Sequence, residues 1–348
     1  MSYRTITFRE PLAKNPLLSI VRSHRSITRF FAPLAHALDH FIEERLHHNL
    51  DRLEALAHPN EDFLLADPRL PIFVVADGVT LEFNPDGTYP LPSGAARAAR
   101  LFCMHALAEA RRRYKHFSID DLRASFRAGN RAVGKLNSRC IDMSIYRDGR
   151  PVSKKIDYWN TDLFATTAAF AVLAPPHLGT SDVPRFDGGK RTLYWASICD
   201  SFVAHYDANG SLKFRSPECW PNTPERRCFP KNWESRPEEE RKKELRRTYR
   251  NGIGVHDKLI GYGVATGEEA AERYLNTGKL TVSPGDLVFL HTDGFERYFD
   301  LPDFITLFRR WPHTIKKELR RFSDERAREN GALYAHDRTL IALKFDKI

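Results

Sequence analysis

A short apolar run that ends in an Asp-Gly pair most limits how this chain can fold. Residues 72–76 lead directly into Asp77-Gly78, which is typical of a buried strand that delivers a carboxylate to the edge of a sheet. A second copy follows much later, where residues 287–292 lead into Asp293-Gly294. Two readings are open at this point. Each pair is an ordinary Asp-Gly turn, or the two carboxylates meet and hold a hard divalent cation.

The remaining pattern indicates a layered α+β domain in which strands pack together and helices lie outside them. Apolar runs bounded by turn residues predict further strands, and capping residues before apolar-periodic segments predict helices. Besides the two strands above, we predict the strands Asn49–Ala57, Thr166–Leu173, Thr192–Ile198, Phe202–Tyr206, Ser211–Phe214 and Thr339–Phe345, and helices over 93–114, 121–136, 238–250, 266–275 and most of 299–330.

Composition indicates a globular protein with a core of ordinary size, since 42% of the 348 residues are hydrophobic. The five cysteines are scattered and form no Cys-x-x-Cys pattern, which argues against a disulfide framework or a zinc site and favours a reducing compartment. The first residues contain no apolar signal core, and the longest apolar run, 163–176, is too short to span a bilayer. We therefore expect a cytoplasmic protein with no membrane partner.

The formal net charge of +9 is compatible with an acidic partner, either a phosphorylated substrate or a nucleic acid. The alternative is that 54 basic residues against 45 acidic ones is a modest excess spread over the whole chain. No aromatic-basic interleaving and no known nucleic-acid motif accompany the charge, so we expect no nucleic-acid partner.

Two segments differ from the rest of the pattern. Residues 1–42 are basic and mixed, and we interpret them as a partly helical N-terminal extension before a main domain over 43–348. Residues 216–252 contain five prolines and then a charged run, which indicates a basic insertion. The charged run is either a solvated helix stabilised by acid-to-base pairs four residues apart or a flap that attracts phosphate.

Acidic residues recur at or beside the predicted strand ends. Many oxygen ligands without a Cys/His cluster favour magnesium or manganese over zinc. Crowded carboxylates repel one another, and bound cations relieve that repulsion. The acidic positions are Asp62, Asp77, Asp293 and the His336-Asp337 pair, with Asp162 and Asp200 beside the central strands.

Taken in order, these motifs resemble those of the metal-dependent serine/threonine protein phosphatases of type 2C. Each motif alone is weak, but six in the same order and at similar spacing over about residues 45–348 are specific. They are 60–62 (NED), 75–79 (VADGV), 162–167, 196–201, 284–294 (PGD through TDG) and 336–339 (HDRT).

The resemblance implies an α-β-β-α sandwich of two antiparallel sheets flanked by helices, with two Mn²⁺ or Mg²⁺ ions at one end. By position, Asp77 would bridge both ions, the Gly78 carbonyl would serve the second and Asp293 the first. Asp62 would hold metal-bound water, and Asp162 matches a third, weaker metal site. A bridging hydroxide would be the nucleophile, so no phosphoenzyme is expected.

The last motif departs from the family pattern. The family has an Asp three residues before a Ser or Thr, and counting back from Thr339 gives His336, while Asp337 is one residue late. Either a small shift lets Asp337 bind metal, or His336 takes the place of a carboxylate.

Two further positions depart as well. The family often has an arginine for the substrate phosphate five residues before the Asp matched by Asp62, where this chain has Ala57. His58, Arg52 or a base of the predicted flap would then contact the phosphate. Cys199 stands where glycine is usual before Asp200, which we interpret as a structural strand turn.

Two functions of different kinds follow. The first is a Mg/Mn-dependent phosphatase acting on phosphoserine or phosphothreonine in a phosphorylated protein substrate. The second is a weakened or inactive relative that keeps the fold as a binding or regulatory module, which the departures at His336 and Ala57 favour. The oligomeric state and the identity of the substrate do not follow from the sequence.

Overall fold

The structure is a computed structural model. It describes residues 2–10, 60–79, 81, 89–138, 146–147, 150–151, 163–175, 190–218, 233, 235–254, 256, 258–334 and 336–346. The predictions for 49–57, His58 and Asp162 lie outside these residues.

Antiparallel pairing joins the strands of the described chain into two five-stranded sheets and one small hairpin. In chain order the strands are β1 Tyr3–Glu10, β2 Phe63–Ala66, β3 Ile72–Gly78, β4 Tyr146–Arg147, β5 Arg150–Pro151, β6 Thr166–Leu173, β7 Arg191–Ile198, β8 Phe202–Tyr206, β9 Leu212–Arg215, β10 Asn276–Val282, β11 Leu287–His291 and β12 Arg338–Phe345. The first sheet has the order β1-β12-β11-β8-β9, the second has the order β10-β7-β6-β3-β2, and β4 pairs with β5.

The first two helices begin after serine residues whose side chains satisfy backbone N–H groups of the first turn. Ser93 accepts a hydrogen bond from the amide of Ala96, and Ser118 forms a reciprocal capping box with Asp121. The helices are α1 Gly94–Arg113, α2 Ile119–Leu136, α3 Glu238–Glu244, α4 Pro302–Arg310, α5 Ile315–Glu329 and α6 Gly331–Tyr334, with 3₁₀ segments at Tyr114–His116, Glu269–Tyr274 and Asp293–Asp300 and a π turn at Leu245–Tyr249.

Three apolar layers hold these elements together. Alternate residues of a strand face opposite sides, so Phe73 and Val75 of β3 face the first sheet, while Val74 and Ala76 pack under α1 and α2. On the other side, Phe289 of β11 packs with the helical layer of α4 and α5. The result is the predicted α-β-β-α sandwich, with a core between the sheets and one under each helical layer.

The first strand differs from the expected N-terminal extension. Tyr3 to Glu10 pairs along the whole of β12, with Tyr3 opposite Phe345. Ile6 and Phe8 are buried in the layer under α4 and α5, so these residues belong to the sandwich rather than preceding it. The remainder of 1–42 and its boundary at residue 43 lie outside the described residues.

The predicted helix over 266–275 is wrong. The sequence Thr266-x-x-Glu269 suggested a capping box, but the Thr266 hydroxyl accepts from the Glu268 amide at 3.2 Å and donates to the Glu268 carboxylate at 2.8 Å. Only a 3₁₀ segment, Glu269–Tyr274, follows, and β10 begins directly after it.

None of the helices in the described part of the chain has the length and apolar character that a membrane span requires.

Candidate active site

At one end of the sandwich, the facing sides of the two sheets change from apolar to polar. Asp77 follows Phe73 and Val75 on the inner face of β3 and pairs directly with Thr167 of β6. Thr339 occupies the corresponding end of β12, where Ile341 and Leu343 continue the apolar inner face. The end of the inter-sheet core is therefore lined by carboxyl and hydroxyl groups.

Asp62 is joined to this polar end by a chain of hydrogen bonds. Its Oδ2 accepts from the Thr292 hydroxyl at 2.9 Å, and that hydroxyl accepts from the Thr339 amide at 3.1 Å. Asp62 is 1% exposed, and its Oδ1 is buried without a hydrogen-bond partner among the described residues. A buried carboxylate oxygen of this kind is costly unless a cation or water meets it.

Asp337 lies beside the same carboxyl. Its Oδ2 accepts a hydrogen bond from the Glu61 amide at 3.1 Å. Burial and the charge of Asp337 together raise the pKa of Asp62 to about 7, and the hydrogen bond from Thr292 opposes the shift. His336 is half-buried, one residue before Asp337.

Glu61 fixes the segment that carries Asp62. Its buried carboxylate accepts from the Tyr89 hydroxyl at 2.5 Å and from the Ser93 hydroxyl. Since Ser93 also caps α1, the carboxylate joins the start of that helix to the strand entering the site. These hydrogen bonds do not involve the carboxyl groups of Asp62, Asp77 or Asp293.

Two glycines allow the site segments to approach each other. A Cβ on Gly78 would lie 2.6 Å from backbone atoms of Ala95 and 3.0 Å from the Glu61 carbonyl oxygen. A Cβ on Gly294 would lie 1.8 Å from the carbonyl oxygen of Asp337. The glycine of each Asp-Gly pair is therefore needed for close backbone contact with a neighbouring site segment.

The carboxyls that end the two predicted strands are electrostatically linked. Burial raises the pKa of Asp77 well above its ordinary value, and the charges of Asp62, Asp293 and Asp200 raise it further. Burial likewise raises the pKa of Asp293, with added repulsion from Asp200 and Asp62. Asp62, Asp77 and Asp293 therefore influence one another electrostatically at this end of the sandwich, and their role as a metal site stays a prediction.

Asp200 belongs to this cluster, which differs from its interpretation as a structural turn residue. Burial raises its pKa to about 6. The turn before it places Cys199 at a φ of 63°, a left-handed conformation that favours glycine. The position of Asp200 just after an apolar strand is the same signal that identified Asp77.

The donor set fits a hard divalent cation by its chemistry. It consists of carboxylates, the Gly78 backbone carbonyl and a buried Asp62 oxygen that accepts from no donor in the described part of the chain. In the present side-chain arrangement, no three His, Cys, Asp or Glu groups of the described chain already converge on one point. Side-chain adjustment would therefore accompany cation binding.

A buried arginine supports the segment that carries Asp337. Arg338 is 0% exposed, and its Nη1 donates to the Tyr298 hydroxyl and to the Tyr334 carbonyl oxygen, each at 2.7 Å. Tyr298 belongs to the 3₁₀ segment that begins at Asp293. Arg338 therefore ties the two late site segments to one another.

No family profile matches the sequence, and a search of curated proteins finds no significant match. Among solved structures, the chain is similar to the Mycobacterium tuberculosis serine/threonine phosphatase PstP/Ppp. That match has 14% identity, covers 99% of each chain and has a TM-score of 0.50. The catalytic domain of PstP in complex with two manganese ions gives 14% identity, coverage of 99% and 98%, and a TM-score of 0.49.

PppA, described as a key regulatory component of T6SS in Pseudomonas aeruginosa, gives 14% identity, coverage of 99% and 98%, and a TM-score of 0.48. At these identities the likeness concerns the fold. It confirms that the chain has the fold of the type 2C serine/threonine phosphatases, as its motifs predicted.

Proposed function

We propose that this chain is a metal-dependent phosphatase that hydrolyses phosphoserine and phosphothreonine in proteins. The observation that carries the proposal is the buried carboxyl cluster, whose members come from separate segments and raise one another's pKa. Such an arrangement is unfavourable for folding alone and is relieved by bound cations. The similar fold of PstP/Ppp, a serine/threonine phosphatase, agrees with this function.

Asp77, the Gly78 carbonyl, Asp293 and Asp337 are the residues that would hold two Mn²⁺ or Mg²⁺ ions. We favour Asp337 over His336 because the Asp337 carboxylate meets the Glu61 amide beside Asp62. When bound, the ions would supply Lewis acidity at the phosphoryl oxygens and a nucleophile from water near neutral pH.

Side chains of the protein would orient the water that attacks the phosphorus atom. Thr292 holds Oδ2 of Asp62, which leaves Oδ1 available to accept a hydrogen bond from the attacking water. Asp200 lies near enough to raise the pKa of both Asp77 and Asp293. A role of His58 at the substrate phosphate, and of Asp162 at a third, weaker metal site, stay predictions from the sequence.

The test is hydrolysis of p-nitrophenyl phosphate and of a phosphothreonine peptide with Mn²⁺, with Mg²⁺ and with EDTA. We expect activity only with metal, and a loss of at least about 100-fold in kcat for Asp77→Asn. Asp303→Asn, an exposed carboxylate on α4, is the matched control and should keep wild-type rates. Activity in EDTA, or activity unchanged by Asp77→Asn, would contradict the mechanism.

The alternative is a phosphatase-like module that binds without efficient hydrolysis. The late position of Asp337 relative to the family motif is the observation that favours it. Calorimetry distinguishes the two functions, because a folded protein that binds Mn²⁺ through Asp77 but hydrolyses neither substrate would be the weakened or inactive form.

A further inference from the structure

A groove of about 420 Å³ lies outside the carboxyl cluster, between β1 and the start of α5. We name it the basic groove. Among the described residues, four cationic side chains line it and no carboxylate does. Its lining residues are Thr7, Phe8, Arg9, Lys316, Lys317 and Arg320.

One wall of the basic groove reaches the rim of the candidate active site. Arg9 pairs with Thr339 in the register of β1 and β12. Its guanidinium donates to Asn60, with Nη2 2.9 Å from Oδ1 and 3.3 Å from the carbonyl oxygen. Asn60 stands two residues before Asp62. A chain bound along the groove would therefore lead towards the carboxyl cluster.

The opposite wall presents cations that helix stability does not explain. Lys316 and Lys317 are exposed and occupy the first turn of α5. Cations in a first helical turn oppose the helix dipole, which favours acidic side chains there. The position of these lysines does not stabilise the helix. It would, however, attract an acidic ligand that faces Arg9 and both lysines.

We propose that the basic groove binds an acidic segment of the protein substrate that flanks its phosphorylated residue. The inference rests on the proposed function and extends it to substrate selection. Clustered cations at the rim would attract Asp and Glu side chains to the groove and keep them out of the carboxyl cluster, where they would meet repulsion. Phosphoproteins with acidic residues beside the phosphate would be preferred over neutral ones.

A binding experiment tests the groove without relying on catalysis. The probe is a fluorescent, unphosphorylated peptide rich in Asp and Glu, and its affinity for the full chain is measured by anisotropy at low salt. We expect the double variant Lys316→Glu/Lys317→Glu to weaken binding by about tenfold or more. Since acids favour a first helical turn, the thermal midpoint of this variant should not fall, so the loss would not reflect unfolding.

The matched control is Arg131→Glu/Lys135→Glu, which makes the same charge change at exposed positions of α2. It should bind the peptide like the wild-type chain. Equal weakening by both variants, or no binding by the wild-type chain, would overturn the proposal. A single-stranded oligonucleotide of equal charge that binds the groove more tightly than the peptide would overturn it too.

A kinetic experiment then relates the groove to substrate choice. Phosphothreonine peptides with acidic and with neutral flanks are compared in the presence of Mn²⁺. We expect the acidic peptide to have the higher kcat/KM through a lower KM, and the ratio to approach one in Lys316→Glu/Lys317→Glu. A ratio near one in the wild-type chain would overturn the preference. Absence of hydrolysis of both peptides would refute the proposed function instead, and the anisotropy result would still decide the groove.

Discussion

Thr292 shows how one hydroxyl organises the candidate site. It donates to Asp62 and accepts from the Thr339 amide, so it joins β11, β12 and the segment before β2 in a single contact. A residue that both donates and accepts within a buried network cannot be replaced by an apolar isostere without leaving partners unsatisfied.

We therefore predict that Thr292→Val lowers kcat with Mn²⁺ and destabilises the fold by about 1–3 kcal/mol, because the Thr339 amide and Asp62 lose a buried partner. Thr292→Ser keeps the hydroxyl and is the matched control. Urea unfolding gives the stability, and hydrolysis of p-nitrophenyl phosphate gives kcat. A Val variant indistinguishable from the Ser variant would contradict this role.

Some residues of the candidate site could be predicted from the sequence, and others could not. Asp77 and Asp293 were found because each ends an apolar strand in an Asp-Gly pair. The electrostatic contact of Asp200 with Asp77 and Asp293 was not predicted, because a turn at Cys199 separates Asp200 from its strand and strand periodicity does not reveal which way a turn residue points. The neighbours of Asp337 were likewise inaccessible, because its contact with the Glu61 amide joins distant parts of the chain.

Among the elements, the start of β12 depends on one buried side chain. Arg338 donates from Nη1 to the Tyr298 hydroxyl in the 3₁₀ segment and to the Tyr334 carbonyl oxygen in α6. The charge is buried and interacts with oxygen dipoles of two other elements. These two hydrogen bonds fix the start of β12 relative to α6 and to the 3₁₀ segment Asp293–Asp300.

We predict that Arg338→Met lowers the free energy of unfolding by about 1–3 kcal/mol, because buried oxygens lose a charged donor. It should also weaken Mn²⁺ binding, since Asp337 precedes Arg338. Tyr298→Phe removes only one of the contacts and should have a smaller effect on both quantities. Calorimetric Mn²⁺ titration and urea unfolding measure them, and an Arg338→Met variant with unchanged affinity would contradict the link.

Element prediction succeeded where strands are fully buried and missed the edge strands β1, β2 and β10, although it found the edge strand β9. β3, β6 and β11 are continuous apolar runs. β10 is an edge strand whose residues are mostly half-buried, so it lacks a clear hydrophobic signal. The false helix over 266–275 arose because the Thr266 hydroxyl pairs with Glu268 rather than with Glu269.

For the whole molecule, the carboxyl cluster makes stability depend on pH and on cations. The pKa of Asp62 is raised to about 7 and that of Asp200 to about 6, from an ordinary 3.8. A raised carboxyl pKa means that the folded state keeps protons which the unfolded state has released. The contribution of these groups to stability is therefore present at low pH and is lost as pH rises through about 6 to 7.

We predict that, in EDTA, the thermal midpoint falls by several degrees between pH 5 and pH 8. Saturating Mn²⁺ should raise the midpoint more at pH 8 than at pH 5, because ionised carboxylates bind the cation. Asp62→Asn should reduce the fall in EDTA. Scanning fluorimetry measures all three effects, and a midpoint in EDTA that rises over this range would contradict the prediction.

The layered architecture was predictable because alternating and continuous apolar runs specify strands, and ordered motifs specify their arrangement. The part played by residues 3–10 was not predicted. Their polar and apolar residues alternate, but only pairing with β12 shows that they complete a sheet. Long-range pairing of this kind is not encoded in any local window.

That pairing has a consequence for synthesis. β1 leaves the ribosome long before its partner β12, since Tyr3 lies opposite Phe345 and Glu10 opposite Arg338. Until then β1 is an unpaired strand with an open backbone edge, which is prone to association with other chains. The nascent chain would need to keep β1 soluble until β12 has been synthesised, and a chaperone that binds extended apolar segments would act at Ile6 and Phe8.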